Sequence, residues 1–267
     1  MTTTAETFRH LHAGPGLLLL ANCWDAGSAR LIESLGARAM ATTSAGVAWS
    51  HGFPDGNALP TDRLLATIRA ITRVIAIPLS VDLEGGYSDD PLDVAELVAR
   101  VLGEGAVGVN IEDGRSPPEL LAAKIEQLKR VAAHAHVDLF VNARTDVYLQ
   151  GLVDAPQRVA ETLRRAKRYR DAGADGLFVP LVTAPAEIQA IAADSGMPLN
   201  LLATRGVPPA SELVGLGVRR LSAGSAIASA VGGHSAALAS AFLREGRSEA
   251  LYEKGIPYPE MNALFAR

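Results

Sequence analysis

The sequence predicts a single (β/α)8 barrel over residues 1–267, and three observations carry that expectation. First, 267 residues of which 48% are hydrophobic can bury one large core, close to the ~250 residues typical of such a barrel. Second, one local grammar recurs, in which a helical stretch ends at glycine and a short apolar strand follows almost at once. It appears at Ser34-Leu35-Gly36-Ala37, Gly103-Glu104-Gly105-Ala106, Asp171-Ala172-Gly173-Ala174 and Gly215-Leu216-Gly217-Val218. Glycine enters the left-handed region after a helix without a Cβ penalty, so the strand can turn back onto its own helix. Third, the strand candidates are near-continuous apolar runs, as a parallel sheet buried on both faces requires.

In chain order the expected strands cover residues 17–22, 39–43, 77–82, 108–112, 137–142, 176–180, 198–203 and 220–224. Amphipathic stretches such as 91–102 and 156–170 supply the helices between them. No Gly-x-Gly-x-x-Gly turn follows the first strand, which removes the usual support for a doubly wound open sheet. Segments before the first strand and after the last add terminal helices. Those over about 232–267 are free to pack on a neighbouring subunit.

The charge pattern limits the partners. The 25 basic and 29 acidic residues give a formal net charge of -4 without long runs, so neither nucleic acid nor an anionic membrane surface is expected to bind. A small molecule is the expected partner. Cys23 is the only cysteine and cannot form an intramolecular disulfide, which suits a reducing cytoplasm. The first residues show no cationic segment followed by an apolar stretch, and no window is read as approaching the ~20 apolar residues of a membrane span.

In such a barrel the chemistry lies at the carboxyl ends of the strands. Those ends read Asn22-Cys23-Trp24-Asp25, Thr43-Ser44-Ala45-Gly46, Asp82-Leu83-Glu84-Gly85-Gly86-Tyr87, Glu112-Asp113, Asn142-Ala143-Arg144-Thr145-Asp146 and Asn200. Carboxylates gathered from adjacent strands repel one another when ionised, so the Asp82/Glu84 and Glu112/Asp113 groups call for a compensating cation. Hard oxygen donors without a nearby His or Cys pair point to Mg2+ or Mn2+, not zinc. The planar fork of Arg144 suits a substrate carboxylate or phosphonate, with an ion pair to Asp146 or Glu112 as the structural alternative. The Ser44-Ala45-Gly46 turn can present backbone N–H groups to an anion, or serve only as a tight connection.

Taken together, these pieces resemble the isocitrate lyase/phosphoenolpyruvate mutase superfamily. The resemblance runs from about residue 17 to residue 228 and rests on Asn22-x-Trp24-Asp25-Ala26-x-Ser28-Ala29, Thr43-Ser44-Ala45-Gly46, Asp82-x-Glu84-x-Gly86-Tyr87, Gly108-Val109-Asn110-Ile111-Glu112-Asp113 and Asn142-Ala143-Arg144-Thr145-Asp146. It implies a Mg2+ enzyme acting on small 2-oxo or dicarboxylic acids beside an enolate. It makes Asp82 the direct metal ligand, with Glu84, Glu112 and Asp55 holding metal-bound waters. Ser44, Ala45 and Gly46 are expected to bind the substrate carboxylate, Arg144 and Asn200 its other end, and Arg144 and Glu112 to carry catalysis. It also implies a homodimer or homotetramer that exchanges C-terminal helices.

The chain departs from the family pattern at one decisive place. Superfamily lyases for isocitrate and methylisocitrate carry a Lys-x-Cys-Gly-His loop after the fourth strand, whereas this chain has Gly114-Arg115-Ser116-Pro117-Pro118. The lysine- and asparagine-bearing loop of the mutase and phosphonate-hydrolase branches is missing too. Glu84 also stands where many members have aspartate. The expected activity is therefore a Mg2+-dependent lyase or decarboxylase of a 2-oxo or 2-hydroxy acid. A carbon-phosphorus hydrolase or mutase, and a non-catalytic 2-oxo acid binder, are the alternatives.

Overall fold

The computed structural model describes residues 2–266. Its strands are β1 (Leu18–Leu20), β2 (Asn22–Cys23), β3 (Met40–Thr42), β4 (Leu79–Asp82), β5 (Gly108–Glu112), β6 (Phe140–Arg144), β7 (Gly176–Val179), β8 (Leu199–Leu202) and β9 (Val218–Ser222). All pair in parallel, in the order β1-β9-β8-β7-β6-β5-β4-β3-β2. Only Ala21 separates β1 from β2, so the first barrel strand is split in two, one half pairing with the last strand and the other with β3. The ring is thereby closed into the eight-position barrel that the apolar runs predict.

The glycines of the repeated grammar do what the sequence demands, with positive φ at Gly36, Gly105, Gly173 and Gly217. Helices including α4 (Thr61–Thr72), α5 (Pro91–Gly103), α6 (Pro118–His134) and α7 (Arg158–Asp171) pack outside. Val81, Val98, Val109, Ile111, Val141, Leu177 and Leu199 share one buried core with them. That core lies between sheet and helices, where strand residues alternate outward.

The inward face differs from a continuous apolar run. Register carries one series round the barrel, with Asp82 opposite Asn110 and Asn110 opposite Asn142. Arg144 lies opposite Phe178, Phe178 opposite Asn200, and Asn200 opposite Arg220. These polar side chains are satisfied among themselves in part, as in the 2.7 Å bond from Asn142 Nδ2 to Asn110 Oδ1. At the amino-terminal mouth, helix α1 (Thr4–Ala13) plugs the barrel, burying Phe8 and His12 against Phe140. Thr3 and Glu6 cap it reciprocally.

Six of the eight barrel strands begin one to three residues from the expected position, and at two of them the shift changes what a residue does. β6 starts at Phe140 because His136 turns left-handed and Leu139 N–H donates back to the Val137 carbonyl, so Arg144 is the strand's last residue. β9 starts at Val218, which places Arg220 in mid-strand and inward instead of at the strand start.

At the carboxyl terminus, helices α10 (Ala226–Glu245), α11 (Glu249–Tyr252) and α12 (Tyr258–Ala263) contain no buried residue. By length and composition α10 could cross a membrane, contrary to the sequence expectation that no window approaches such a span. Its apolarity comes from alanines interleaved with Ile227, Val231, Leu238, Phe242 and Leu243. After α12 the chain touches the barrel again, where Arg30 Nε donates to the Leu264 carbonyl at 2.8 Å.

Candidate active site

Asp82 ends β4 inside the barrel mouth and anchors the site. Its backbone N–H donates to Thr42 Oγ1 at 2.8 Å, and its Oδ2 accepts from Ser44 N–H at 3.2 Å. Ser44 opens α3 (Ser44–Ser50), whose N-cap residue Thr43 supplies no side-chain cap, so beyond the Ser44 N–H that Asp82 takes, the first-turn N–H groups stay available to an acceptor. A cavity of about 180 Å3 lies in front of them, lined among others by Ser44, Ala45, Asp55, Asp82, Asn110 and Arg144. Five of the residues expected in the site from the sequence therefore meet in one place.

Arg144 forms the wall of this cavity. Its Nη1 lies 2.6 Å from Glu112 Oε2, and its Nε and Nη2 donate to both oxygens of Asp146 at 2.6 and 3.0 Å. Both ion pairs weighed from the sequence are thus present. Glu112 itself faces a second cavity of about 390 Å3, lined by Tyr87, Arg115, Lys124 and their neighbours. The Arg144–Glu112 pair is the partition between the two. Burial pushes the Glu112 carboxyl up to about 8 against the pull of Arg144, with Asp82, Asp146 and Glu84 adding repulsion.

Glu84 is buried under the loop after α3. Its Oε2 accepts from the N–H groups of Gly56 and Asn57, and its Oε1 from Tyr87 O–H at 3.0 Å. Burial raises its pKa, with Asp55 and Asp82 contributing. The loop that presents Asp55 is therefore held by Glu84.

Other expected site residues are placed elsewhere. Gly46 does not line the cavity; a Cβ there would come within 2.8 Å of both Trp24 Cβ and Thr43 Cγ2, so packing demands the glycine. Asn200 lies below the cavity, accepting from Ser222 Oγ at 3.0 Å. Asp113, grouped with Glu112 in the sequence, turns away from the mouth. It accepts from Thr145 Oγ1, Asp146 N–H, Arg165 Nη1 and Tyr169 O–H at 2.6–2.8 Å. Cys23 is buried and its thiol is pushed up to about 12, which leaves it no nucleophilic part.

The donors around Asp82 are all oxygens, the kind that a hard divalent cation takes. Asp82 Oδ1 carries no protein hydrogen bond, whereas Oδ2 carries one. Among the described residues no three His, Cys, Asp or Glu side chains converge on one point. The arrangement fits a cation held by one carboxylate and otherwise by water, as Mg2+ prefers, and not an all-protein cage.

Arg220 is the residue that sequence reasoning missed. It lies wholly inside the barrel below Asp82, and the alternation of Val218, Arg220 and Ser222 along β9 was the signal for it.

Known proteins resemble this chain over most of its length. The Phosphoenolpyruvate phosphomutase family profile matches residues 8–243. An uncharacterised protein of Mycobacterium tuberculosis is 37% identical over 262 residues, covering 96% of this chain and 95% of that protein. Oxaloacetate decarboxylase of Rhodopseudomonas palustris is 30% identical over 207 residues, covering 73% of this chain and 69% of that enzyme. A crystal structure from Burkholderia cenocepacia, provisionally named a lyase/mutase, superposes with a TM-score of 0.90 at 35% identity, covering 100% of this chain and 96% of that one. The chain belongs to the phosphoenolpyruvate mutase/isocitrate lyase superfamily.

Proposed function

We propose that this protein is a Mg2+-dependent lyase or decarboxylase of a small 2-oxo or 2-hydroxy dicarboxylic acid, with oxaloacetate-like and malate-like compounds as first candidates. One observation carries the proposal: Asp82, with one carboxylate oxygen unengaged, faces Arg144 across a cavity of about 180 Å3. That is below the ~300–1,000 Å3 of sites for drug-sized ligands and suits a molecule of a few heavy atoms. The oxaloacetate decarboxylase relative supports this substrate class.

In this reading Asp82 holds the cation, Mg2+ or alternatively Mn2+, with Asp55, Glu84 and Glu112 orienting its waters. When bound, the cation supplies positive charge opposite the 2-oxo group. Ala45 offers its N–H group to the substrate carboxylate, joined by Ser44 when its N–H leaves Asp82 Oδ2, and the unengaged N–H groups of Arg144 take the far end. Glu112, whose pKa burial raises, stands beside Arg144 where it can exchange a proton with the ligand. Gly46 and Asn200 support these groups from behind. The exposed apolar residues Val231, Phe242, Leu243 and Tyr252 favour a homodimer or homotetramer built on the C-terminal helices, and the free Cys23 suits the cytoplasm.

The test is to follow oxaloacetate, malate and substituted malates by NMR with purified protein and Mg2+. Mg2+-dependent loss of one of them supports the proposal, and folded protein that leaves all unchanged contradicts it. The short Gly114–Pro118 turn beside the larger cavity favours a second reading, a binder without turnover. Calorimetry distinguishes it by Mg2+-dependent binding of a 2-oxo acid without product. Phosphate release from phosphonopyruvate would instead assign carbon-phosphorus cleavage.

A further inference from the structure

Arg220 has no part in the roles above, yet it is the largest fully buried side chain in the barrel, 1% exposed. Its Nε donates to Ser222 Oγ at 3.1 Å and its Nη2 reaches Asn110 Oδ1 at 3.4 Å, while the buried Nη1 donates to nothing. Among the described residues no carboxylate pairs with it directly. A guanidinium so placed is costly unless its charge is used.

What surrounds it gives that charge a direction. Below lies His12 of the α1 plug, held neutral because burial and Arg220 itself push its pKa down to about 3. Beside it are Asn200 and Leu18, its register partners on β8 and β1. Above it, Asn110 and Ser222 are both hydrogen-bonded to Arg220 and line the 180 Å3 cavity with Asp82. Burial pulls the Arg220 pKa down to about 9, and Asp82 is the carboxylate that opposes this. Arg144, the other cation of the cavity, is already engaged by Glu112 and Asp146.

We infer that Arg220 is a buried countercharge built under the floor of the cavity, a positioning residue that weakens divalent-cation binding at Asp82 and strengthens the binding of an anionic ligand above it. The inference rests on the proposed cation site at Asp82. It requires no contact between Arg220 and the ligand, since its field acts across Asn110 and Ser222 in a low-dielectric interior. A site that binds a cation and a dianion in turn gains from such a device: the cation is not held too tightly, and the dianion meets positive charge that the acidic wall does not cancel.

The test uses the full chain and calorimetry with two probes, MgCl2 alone and oxalate at saturating Mg2+. Arg220→Met is expected to bind Mg2+ about tenfold more tightly and oxalate about tenfold more weakly, the scale of one nearby charge at an effective dielectric of ~20. Arg220→Gln, which keeps polar contacts to Asn110 and Ser222, is expected to shift both in the same directions. Arg220→Lys, which keeps the charge, should restore near-wild-type values. A purely structural role would weaken both probes together, and that result overturns the inference. So do unchanged affinities, or failure of both neutral variants to fold. Wild-type protein that takes up neither probe contradicts the cation site itself; wild-type uptake with unaltered variants overturns the Arg220 inference alone.

Discussion

Arg144 Nη1 lies 2.6 Å from Glu112 Oε2 while the rest of its fork grips both oxygens of Asp146, so one guanidinium balances the buried Asp146 and the part-buried Glu112. Removing it would leave both unpaired. Arg144→Ala is expected to cost about 3–5 kcal/mol of stability, as breaking a buried pair does, and to weaken oxalate binding by at least about thirtyfold. Arg144→Lys keeps a charge but loses the fork, and should fall between the two. Thermal melting and calorimetry on the same preparations read both effects.

Asp113 offers a contrast, because its fully buried side chain accepts from Arg165, Tyr169, Thr145 and the Asp146 backbone. Asp113→Ala is expected to destabilise by about 3–5 kcal/mol in urea titration, since four donors lose their acceptor. Its folded fraction should still bind Mg2+ with near-wild-type affinity. Loss of Mg2+ binding in folded Asp113→Asn would instead place this carboxylate in the metal site.

The architecture was legible because glycine and apolar runs act locally. Gly36, Gly105, Gly173 and Gly217 mark the turns, and Asp82 and Arg144 end their strands as a barrel requires. What escaped the sequence depends on partners far along the chain. Glu84 is committed to Gly56 and Asn57, which no spacing rule connects to it. Asn200 reads as a site residue, yet it sits within β8, buried below the cavity and covered by Ser222. Arg220 reads as a strand start, and two residues of register turn it into the core.

Glu84→Gln separates two roles. A glutamine oxygen can still accept from Gly56 and Asn57, so the loop bearing Asp55 should stay closed and the melting temperature should change little. The lost charge should weaken Mg2+ binding by roughly tenfold if Glu84 orients a metal-bound water. Unaltered Mg2+ affinity would reduce Glu84 to a loop clamp.

His12 predicts an acid-side slope in stability. Its pKa is lowered from 6.5 to about 3 in the folded state, by burial first and then by Arg220. The unfolded chain therefore binds one more proton between those values. The His12 contribution is complete above about pH 6.5 and is lost as pH falls toward 3, with a slope of up to about 1.4 kcal/mol per pH unit. Urea midpoints from pH 4 to 8 should fall less steeply in His12→Gln than in the wild type. Parallel curves would show that His12 takes up its proton without unfolding.

The most direct measurement is a Mn2+ titration, followed by electron paramagnetic resonance, of the wild-type protein and Asp82→Asn. Asparagine keeps an oxygen for Ser44 N–H while removing the charge, so the fold at the barrel mouth is preserved. One Mn2+ site per chain, displaced by Mg2+ and abolished in Asp82→Asn, is the result expected. Equal Mn2+ uptake by the two proteins would contradict Asp82 as the centre of the site.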